Sequence, residues 1–401
     1  MRRGFVLLTI ITTLLLVGIS QIAGAQISPA SGRIIVPPST GAAVGLPHTN
    51  VLLFVPEGAA PAAGSPRGET PASIACIYKL TTPVPGCPIN GTTAVPTGGA
   101  NAIALVDWGH YPQVKSDLST FSTQFGLPPA DITEVCIDSC PDNSGTGWDL
   151  ETALDVQWAH AMAPNAKIYL VESGNDLFPA AQKAGQLVAA AGGGQVSNSW
   201  VTSTSSEPPN EKQYDKYFKR SSVTFFAAAG DWGVGALYPS SSPFVISAGG
   251  TTVLRDGSGK FTGESCWSDS GGGISKQEAR PAYQDGIKAI VGNFRGTPDF
   301  SADSDPGSGV AVYITPWGGW VQVGGTSAAS PMLAGIVNSA NSFLASSPKE
   351  LTKLYKEYAD ATKYKNLFRD ITTGSNGPGS VAKKGWDTCT GIGSDKKYKG
   401  K

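Results

Sequence analysis

The 401-residue chain has no surplus of either charge: 30 Lys and Arg stand against 31 Asp and Glu, a formal net of -1. Without a basic surface there is little to draw a nucleic acid, and none is expected as a partner. Histidine is scarce, with three residues, His48, His110 and His160. None sits in a motif that marks it as a catalytic base. Cysteine is sparse too, and Cys136 and Cys140 have no second Cys or His pair nearby, so the ligand spacing of structural zinc is missing. Beyond the first segment no apolar run is long enough to cross a bilayer. What the chain does have is a globular, loop-rich composition, 40% hydrophobic and 15% charged with 50 Gly and 29 Pro. At this length it can bury a sizeable core, as one large domain or two ordinary ones, and needs no disulfide scaffold to stand.

Arg2 and Arg3 lead into an apolar run over residues 5–19, followed by Ala23-Gly24-Ala25, a small-x-small cleavage pattern. Residues 1–25 are read as a signal peptide, and the protein as secreted, with no membrane attachment once the signal is removed. The run falls short of the ~20 residues a span needs. Export makes disulfides plausible for the six cysteines, and proximity favours Cys76 with Cys87 and Cys136 with Cys140.

Residues 26–95 are rich in Pro, Gly, Ala and Thr with little periodicity, and read as an irregular lead-in, possible as a reduced pro-segment. From residue 101 the texture changes. Ile103-Ala104-Leu105-Val106-Asp107 has strand length, and Val114, Leu118, Phe121 and Phe125 recur at helical spacing. The alternation continues with a helix over 148–162, a strand over 167–172, a helix over 177–191, a strand ending in Ser197-Asn198-Ser199-Trp200, a helix near 209–219 and strands over 223–229 and 244–248. A Gly-rich, irregular stretch over 249–325 precedes helices over 327–345 and 348–363. Strands alternating with helices predict a doubly wound α/β fold, a mostly parallel sheet with helices on both faces. Active groups in such folds gather at the carboxyl ends of strands and the first turns of helices.

Gly324-Gly325-Thr326-Ser327-Ala328-Ala329-Ser330-Pro331 sets a serine among tiny residues where a helix begins. Ser327 is either part of a helix cap or a nucleophile, and the free N–H groups and positive end of a helix start suit an oxyanion. A nucleophilic serine needs a base. Glu151 and Asp155 stand four apart on one helix face, and if buried they relieve their repulsion by sharing a proton. The other reading is a solvated helix face. Asp231, in Ala229-Gly230-Asp231, follows an apolar strand. It is either a turn residue or a buried carboxyl that keeps its proton and donates a hydrogen bond to developing negative charge.

Together these segments resemble the sedolisins, serine-carboxyl peptidases with a subtilisin-like fold. The resemblance covers about 97–394 and rests on Glu151-Thr152-Ala153-Leu154-Asp155, Ser197-Asn198-Ser199-Trp200, Ala229-Gly230-Asp231, the loops Cys266–Ser275 and Arg295–Asp303, and Gly325-Thr326-Ser327 in that order. It implies a catalytic domain over 96–396, Ser327 as nucleophile, Glu151 as base and then acid, Asp155 as its partner, and Asp231 with the Ser327 N–H as oxyanion donors. Protein or peptide substrates, acid activity and a monomeric chain are the corresponding expectations. The tail resembles the family's calcium loop, which implies one Ca2+ held by the Asp370 and Asp387 side chains and the Ile371, Lys383 and Gly385 carbonyls. Hard oxygen ligands of this kind suit calcium; two metal-free surface turns are the other reading. Lys383 stands where the family commonly has Gly. The large pro-domain usual in the family has only residues 26–95 to correspond to it. Two further readings are a secreted relative that binds without catalysing, and a subtilisin-type triad using Asp107 and a histidine. For the latter, His160 lies about two turns from Glu151, where the base would be needed.

Overall fold

A computed structural model describes residues 31–41, 47–90 and 94–397; the expected signal peptide at 1–25 lies outside these residues. The chain opens with three strands, β1 (Gly32–Ile35), β2 (His48–Thr49) and β3 (Leu52–Pro56), and a short helix α1 (Pro71–Ile77). Then the alternation begins: β4 (Ala102–Trp108), α2 (Val114–Phe125), β5 (Ile132–Cys136), α3 (Trp148–Met162), β6 (Lys167–Ser173), α4 (Leu177–Ala190), β7 (Gly194–Asn198), β8 (Trp200–Val201) and β9 (Val223–Ala228). The expected helix near 209–219 is a 3-10 helix, Glu211–Phe218.

The stretch expected to be irregular supplies β10 (Ile246–Arg255), β11 (Phe261–Cys266), β12 (Gly273–Ala279), a single helical turn α5 (Lys288–Val291), β13 (Phe294–Thr297), β14 (Phe300–Asp303), β15 (Val310–Ile314) and β16 (Gly319–Gly324). β10 pairs with β11, β12 with β13 and β15 with β16, and the glycines scattered through most of these strands weaken their local signal. Helices α6 (Thr326–Ser339), α7 (Ser347–Ala359) and α8 (Ala361–Leu367) follow, and short strands close the chain: β17 (Phe368–Arg369), β18 (Ser375–Gly377), β19 (Ser380–Val381) and β20 (Ser394–Asp395).

The main sheet runs in the order β17-β20-β14-β10-β9-β7-β4-β6-β5, and every pair from β5 to β20 is parallel. Alternation along β4 shows how both faces are covered. Ile103 and Leu105 join the core beneath α3 and α6, while Ala102, Ala104 and Val106 join the one beneath α4. Helix α3 is buried on all sides, wedged between the sheet and a second one. Trp158 Nε1 donates to the Ala311 carbonyl at 3.0 Å, and Gln157 exchanges two hydrogen bonds with the Tyr313 backbone.

That second sheet, in the order β1-β3-β16-β15, changes the picture of residues 26–95. Rather than being irregular, they contribute β3, which pairs antiparallel with β16 from Phe54↔Gln322 to Leu52↔Gly324. Val51, Leu53 and Val55 are buried there. The continuous apolar run at 51–55 is a strand signal, but its partner lies some 270 residues away. Disulfides join Cys76 to Cys87 and Cys136 to Cys140, as proximity suggested, and Cys266 to Cys389.

Beneath β10 and β14, Arg295 and Asp299 form a two-pronged ion pair at 2.6 and 2.9 Å with both side chains wholly buried. Asp299 also accepts from the Ser247 N–H and the Tyr355 hydroxyl, each at 2.8 Å. With its partners all internal, breaking one half strands a charge. Asp299→Ala is expected to cost about 3–5 kcal/mol in denaturant unfolding, with Arg295→Met in the same background recovering part of the loss.

Candidate active site

The carboxyl ends of β4, β7 and β9 and the first turns of α3 and α6 meet at one point. Helix α6 starts where Gly325, at φ +103°, turns the chain off β16. A Cβ there would collide with the Asn50 carbonyl and lie 2.5 Å from Asp231 Oδ2, so only glycine serves. Pro331 lacks the N–H that would bond the Ser327 carbonyl one turn back, and that carbonyl instead receives the Ser199 hydroxyl at 3.5 Å. Ser330 is tied to Ser197 of β7 at 2.7 Å.

Ser327 Oγ donates to Glu151 Oε2 at 2.9 Å and lies 3.0 Å from the Ser199 carbonyl. Glu151 is brought there by the first turn of α3, where Asp149 ties down the Gly145 and Gly147 N–H groups at 2.8 and 3.0 Å. Asp155, one turn on, accepts from the Ser199 hydroxyl at 2.7 Å. Glu151 Oε1 and Asp155 Oδ2 remain buried without hydrogen-bond partners. Both carboxyls are completely buried. Desolvation pushes the Glu151 pKa well up, reinforced by Asp155 and Asp107, while the Ser327 hydroxyl opposes it. Asp155 rises for the same reasons, desolvation first and then Asp107. The carboxyls therefore keep protons that exposed ones would lose, and form one coupled acid–base group.

Asp231 lies on the other side of Ser327. Its Oδ1 accepts from the Thr326 N–H and hydroxyl, both at 2.8 Å, and Thr326 Oγ in turn receives the Gly230 N–H at 3.0 Å. Oδ2 is buried and unpartnered. Burial pushes Asp231 up to about 8, against the pull of the two Thr326 bonds. At acid pH, Oδ2 thus carries a proton at the start of α6, a group able to donate to an oxyanion.

The structure brings Ser327, Glu151, Asp155 and Asp231 together. None of the three histidines is hydrogen-bonded to Ser327 in the described residues: His160 Nε2 bonds the Pro128 carbonyl at 2.9 Å, His110 faces Glu172 at 3.1 Å, and His48, on β2, lies edge-on to Trp232. Two residues gain roles the sequence did not suggest. Asp107, at the end of β4, is wholly buried beside Glu172 on the neighbouring strand, and both its oxygens lack hydrogen-bond partners. Its pKa is driven up by desolvation and then by Glu172. Asn50, from the lead-in, sits over the nucleophile: its N–H donates to Ser327 Oγ and its carbonyl accepts the Ser327 N–H, both at 3.1 Å. Nothing in its local sequence marks Asn50, because the contact depends on β2 and β3 docking across the site.

The tail places Asp370 and Asp387 in one cluster of loops. Asp370 Oδ1 accepts from the Gly385 N–H at 3.0 Å and the Tyr364 hydroxyl at 2.9 Å, while Asp387 Oδ2 accepts from the Lys383 N–H at 2.9 Å. Ile371 is buried in the cluster closed by Cys266 and Cys389. Two carboxylates held around a tight turn with a positive-φ Gly385 gather hard oxygens of the kind Ca2+ takes.

The chain is 27% identical to sedolisin of Pseudomonas sp. (strain 101), over 94% of this chain and 68% of that protein. It is 29% identical to kumamolisin of Bacillus sp. (strain MN-32), over 74% and 58%, and 28% identical to tripeptidyl-peptidase 1 of Dictyostelium discoideum, over 69% and 50%. The chain thus spans half to two thirds of the length of these curated relatives. No family model matches it. Among solved structures, its fold matches Pseudomonas sedolisin, a serine-carboxyl proteinase complexed with two molecules of pseudo-iodotyrostatin. The TM-score is 0.66 at 23% identity, covering 83% of this chain and 96% of that one. The resemblance to sedolisins and the α/β fold expected from the sequence are both found.

The close approach at Gly325 yields a local test. Gly325→Ala is expected to lose activity at least about 100-fold, because the donors around Ser327 are displaced, while circular dichroism remains that of the folded chain. Unchanged activity would mean that the approach is looser than drawn.

Proposed function

We propose that this relative of the serine-carboxyl peptidases is a secreted, acid-active enzyme that hydrolyses peptide bonds in protein or peptide substrates. The observation that carries the reading is the 2.9 Å hydrogen bond from Ser327 Oγ to the buried Glu151, with Asp231 held at the neighbouring Thr326 N–H. Ser327 attacks the scissile carbonyl and Glu151 takes its proton. Asp155, anchored by Ser199, tunes the charge on Glu151. The oxyanion is received by the Ser327 N–H and the protonated Asp231 Oδ2. Glu151 then returns its proton to the leaving amine, and water, activated by Glu151, releases the acyl group. A bound Ca2+ would neutralise Asp370 and Asp387 and brace the C-terminal loops, with the Ile371, Lys383 and Gly385 carbonyls as further ligands. That role is structural. A non-catalytic binding protein is the second reading, favoured by the occupation of the cleft by residues 48–50; measurable turnover separates the two.

The pH dependence has a definite sign. Glu151 must share in a lost proton to act as base, which sets the acid limb, and Asp231 must keep its proton, so activity falls as the pH rises through about 8. The folded pKa of Asp231 lies above its ordinary value. Stability from this group is therefore complete below the ordinary carboxylate range and is lost as the pH rises through about 8.

Ser327→Ala is expected to lower hydrolysis of an unfolded protein by about 10³-fold or more, and Glu151→Gln by about 10²–10⁴-fold, across pH 3–8 and without loss of fold. Retained turnover in either variant removes the mechanism. The melting temperature should decline from pH 4 to pH 8, and Asp231→Asn should flatten part of that decline. Removing calcium with a chelator should lower the melting temperature of the wild type but leave Asp387→Ala almost unmoved; equal melting of the wild type with and without chelator counts against the metal site.

A further inference from the structure

We infer that His110, Glu134 and Glu172 form a binding site for a divalent transition ion of the zinc class, separate from the proposed calcium loops and independent of the peptidase reading. The three side chains come from neighbouring strands, towards their carboxyl ends. Glu172 on β6 stands opposite Cys136 of β5, so Glu134, two residues earlier on β5, shares its face of the sheet. His110 follows β4, and its backbone is pinned on both sides. Its N–H donates to the Pro141 carbonyl at 2.7 Å, and its carbonyl receives the Asn143 N–H at 2.9 Å. The Cys136–Cys140 disulfide closes the loop that leads from β5 to this anchor.

The donor atoms converge on one point. His110 Nδ1 lies 3.1 Å from each Glu172 carboxylate oxygen and 3.7 Å from Glu134 Oε2. One nitrogen and one oxygen from each carboxylate all lie within 4.8 Å of one another. Ligands about 2.0–2.2 Å from a zinc ion sit about 3.4 Å apart at tetrahedral corners, and the separations from Nδ1 bracket that spacing. Ion pairing alone does not account for the arrangement, because a single ring nitrogen, with one proton or one lone pair to offer, faces carboxylates from two strands. Lys115 holds Glu134 Oε1 at 2.6 Å, which leaves Oε2 turned to the centre. Side-chain exposure falls from 35% at His110 through 21% at Glu134 to 2% at Glu172, so the group has a buried floor and an open mouth. Water from the mouth completes the shell of an ion held by three protein ligands.

A second observation points the same way. Asp107 is the register partner of Glu172 on β4, on the same face of the sheet, wholly buried and with neither carboxyl oxygen hydrogen-bonded. Ligating carboxylates are ordinarily held by a further polar group behind them, and Asp107 is an unclaimed one on the inner side of this set. An imidazole nitrogen with two carboxylates is a donor set for zinc rather than for calcium or magnesium, which take oxygen ligands. Cysteine spacing gave no sign of it, since no cysteine takes part and His110 and Glu172 stand 62 positions apart. Once bound, the ion ties β4, β5 and β6 together near their tips, beside the strand end that carries Asp107.

The test is a calorimetric titration of Zn2+ into the purified full chain at pH 7 in excess Ca2+, so that the calcium loops are not what is read. The expected result is one Zn2+ per chain. His110→Ala and Glu134→Gln should each weaken binding at least about 100-fold, more than the loss of an outer partner costs. Lys115→Met, which removes the cation competing for Glu134, should tighten it about fivefold. Zn2+ should also raise the melting temperature of the wild type and leave that of His110→Ala unmoved. If His110→Ala fails to fold, Glu134→Gln and Lys115→Met, both altered at the mouth of the group, carry the test. No binding to the wild type up to about 1 mM Zn2+ would overturn the inference. Binding of equal strength in the wild type and Glu134→Gln would place the ion elsewhere and overturn it too. So would displacement of the Zn2+ by Ca2+, which would reduce the group to an unselective pair of carboxylates.

Discussion

Four carboxyl groups, Glu151, Asp155, Asp107 and Asp231, are buried around the start of α6, and burial makes the neutral form of each easier to keep than the charged one. Much of the site follows from that constraint. A carboxylate exposed to water would be too weak a base to take a serine proton at neutral pH; one that is desolvated and beside other carboxyls is a stronger base, at the cost of titrating as a group. Asp231 carries the constraint furthest. Its Oδ1 is committed to Thr326, so the proton that burial retains resides on Oδ2, facing the place where negative charge would develop.

The fold supplies the means of burial. Parallel strands end together, so the tips of β4, β6, β7 and β9 set Asp107, Glu172, Asn198 and the approach to Asp231 side by side, and helices α3 and α6 begin above them. Helix α3 is enclosed on all sides because the second sheet covers the face that the main sheet does not. That second sheet depends on β3. Residues from the lead-in are thus part of the enclosure that shapes the acid group, and the same segment runs on through the cleft.

Much of this was legible in the chain. The 3.6-residue spacing behind α2, α3 and α4 and the apolar runs of β4, β6 and β9 placed those elements within a residue or two, because each is a local pattern with a local energetic cause. The four site residues were legible as motifs. The lead-in was not, although its apolar run at 51–55 reads as a strand in retrospect. A strand is stabilised by its partner, and the partner here, β16, lies in a stretch so rich in glycine that it too reads as loop. Asp107 was noticed only as a possible triad member, since its companionship with Glu172 and Asp155 depends on strand register and helix packing.

By itself the sequence determined the class of the fold, the candidate residues for the chemistry and the resemblance to sedolisins, because periodicity and short motifs are properties of neighbours along the chain. Only the tertiary structure decided which carboxyls lose their water, how they are partnered, and that Asn50 lies on Ser327. Those outcomes depend on desolvation and on contacts between residues some 280 positions apart, and no local pattern in a chain records either.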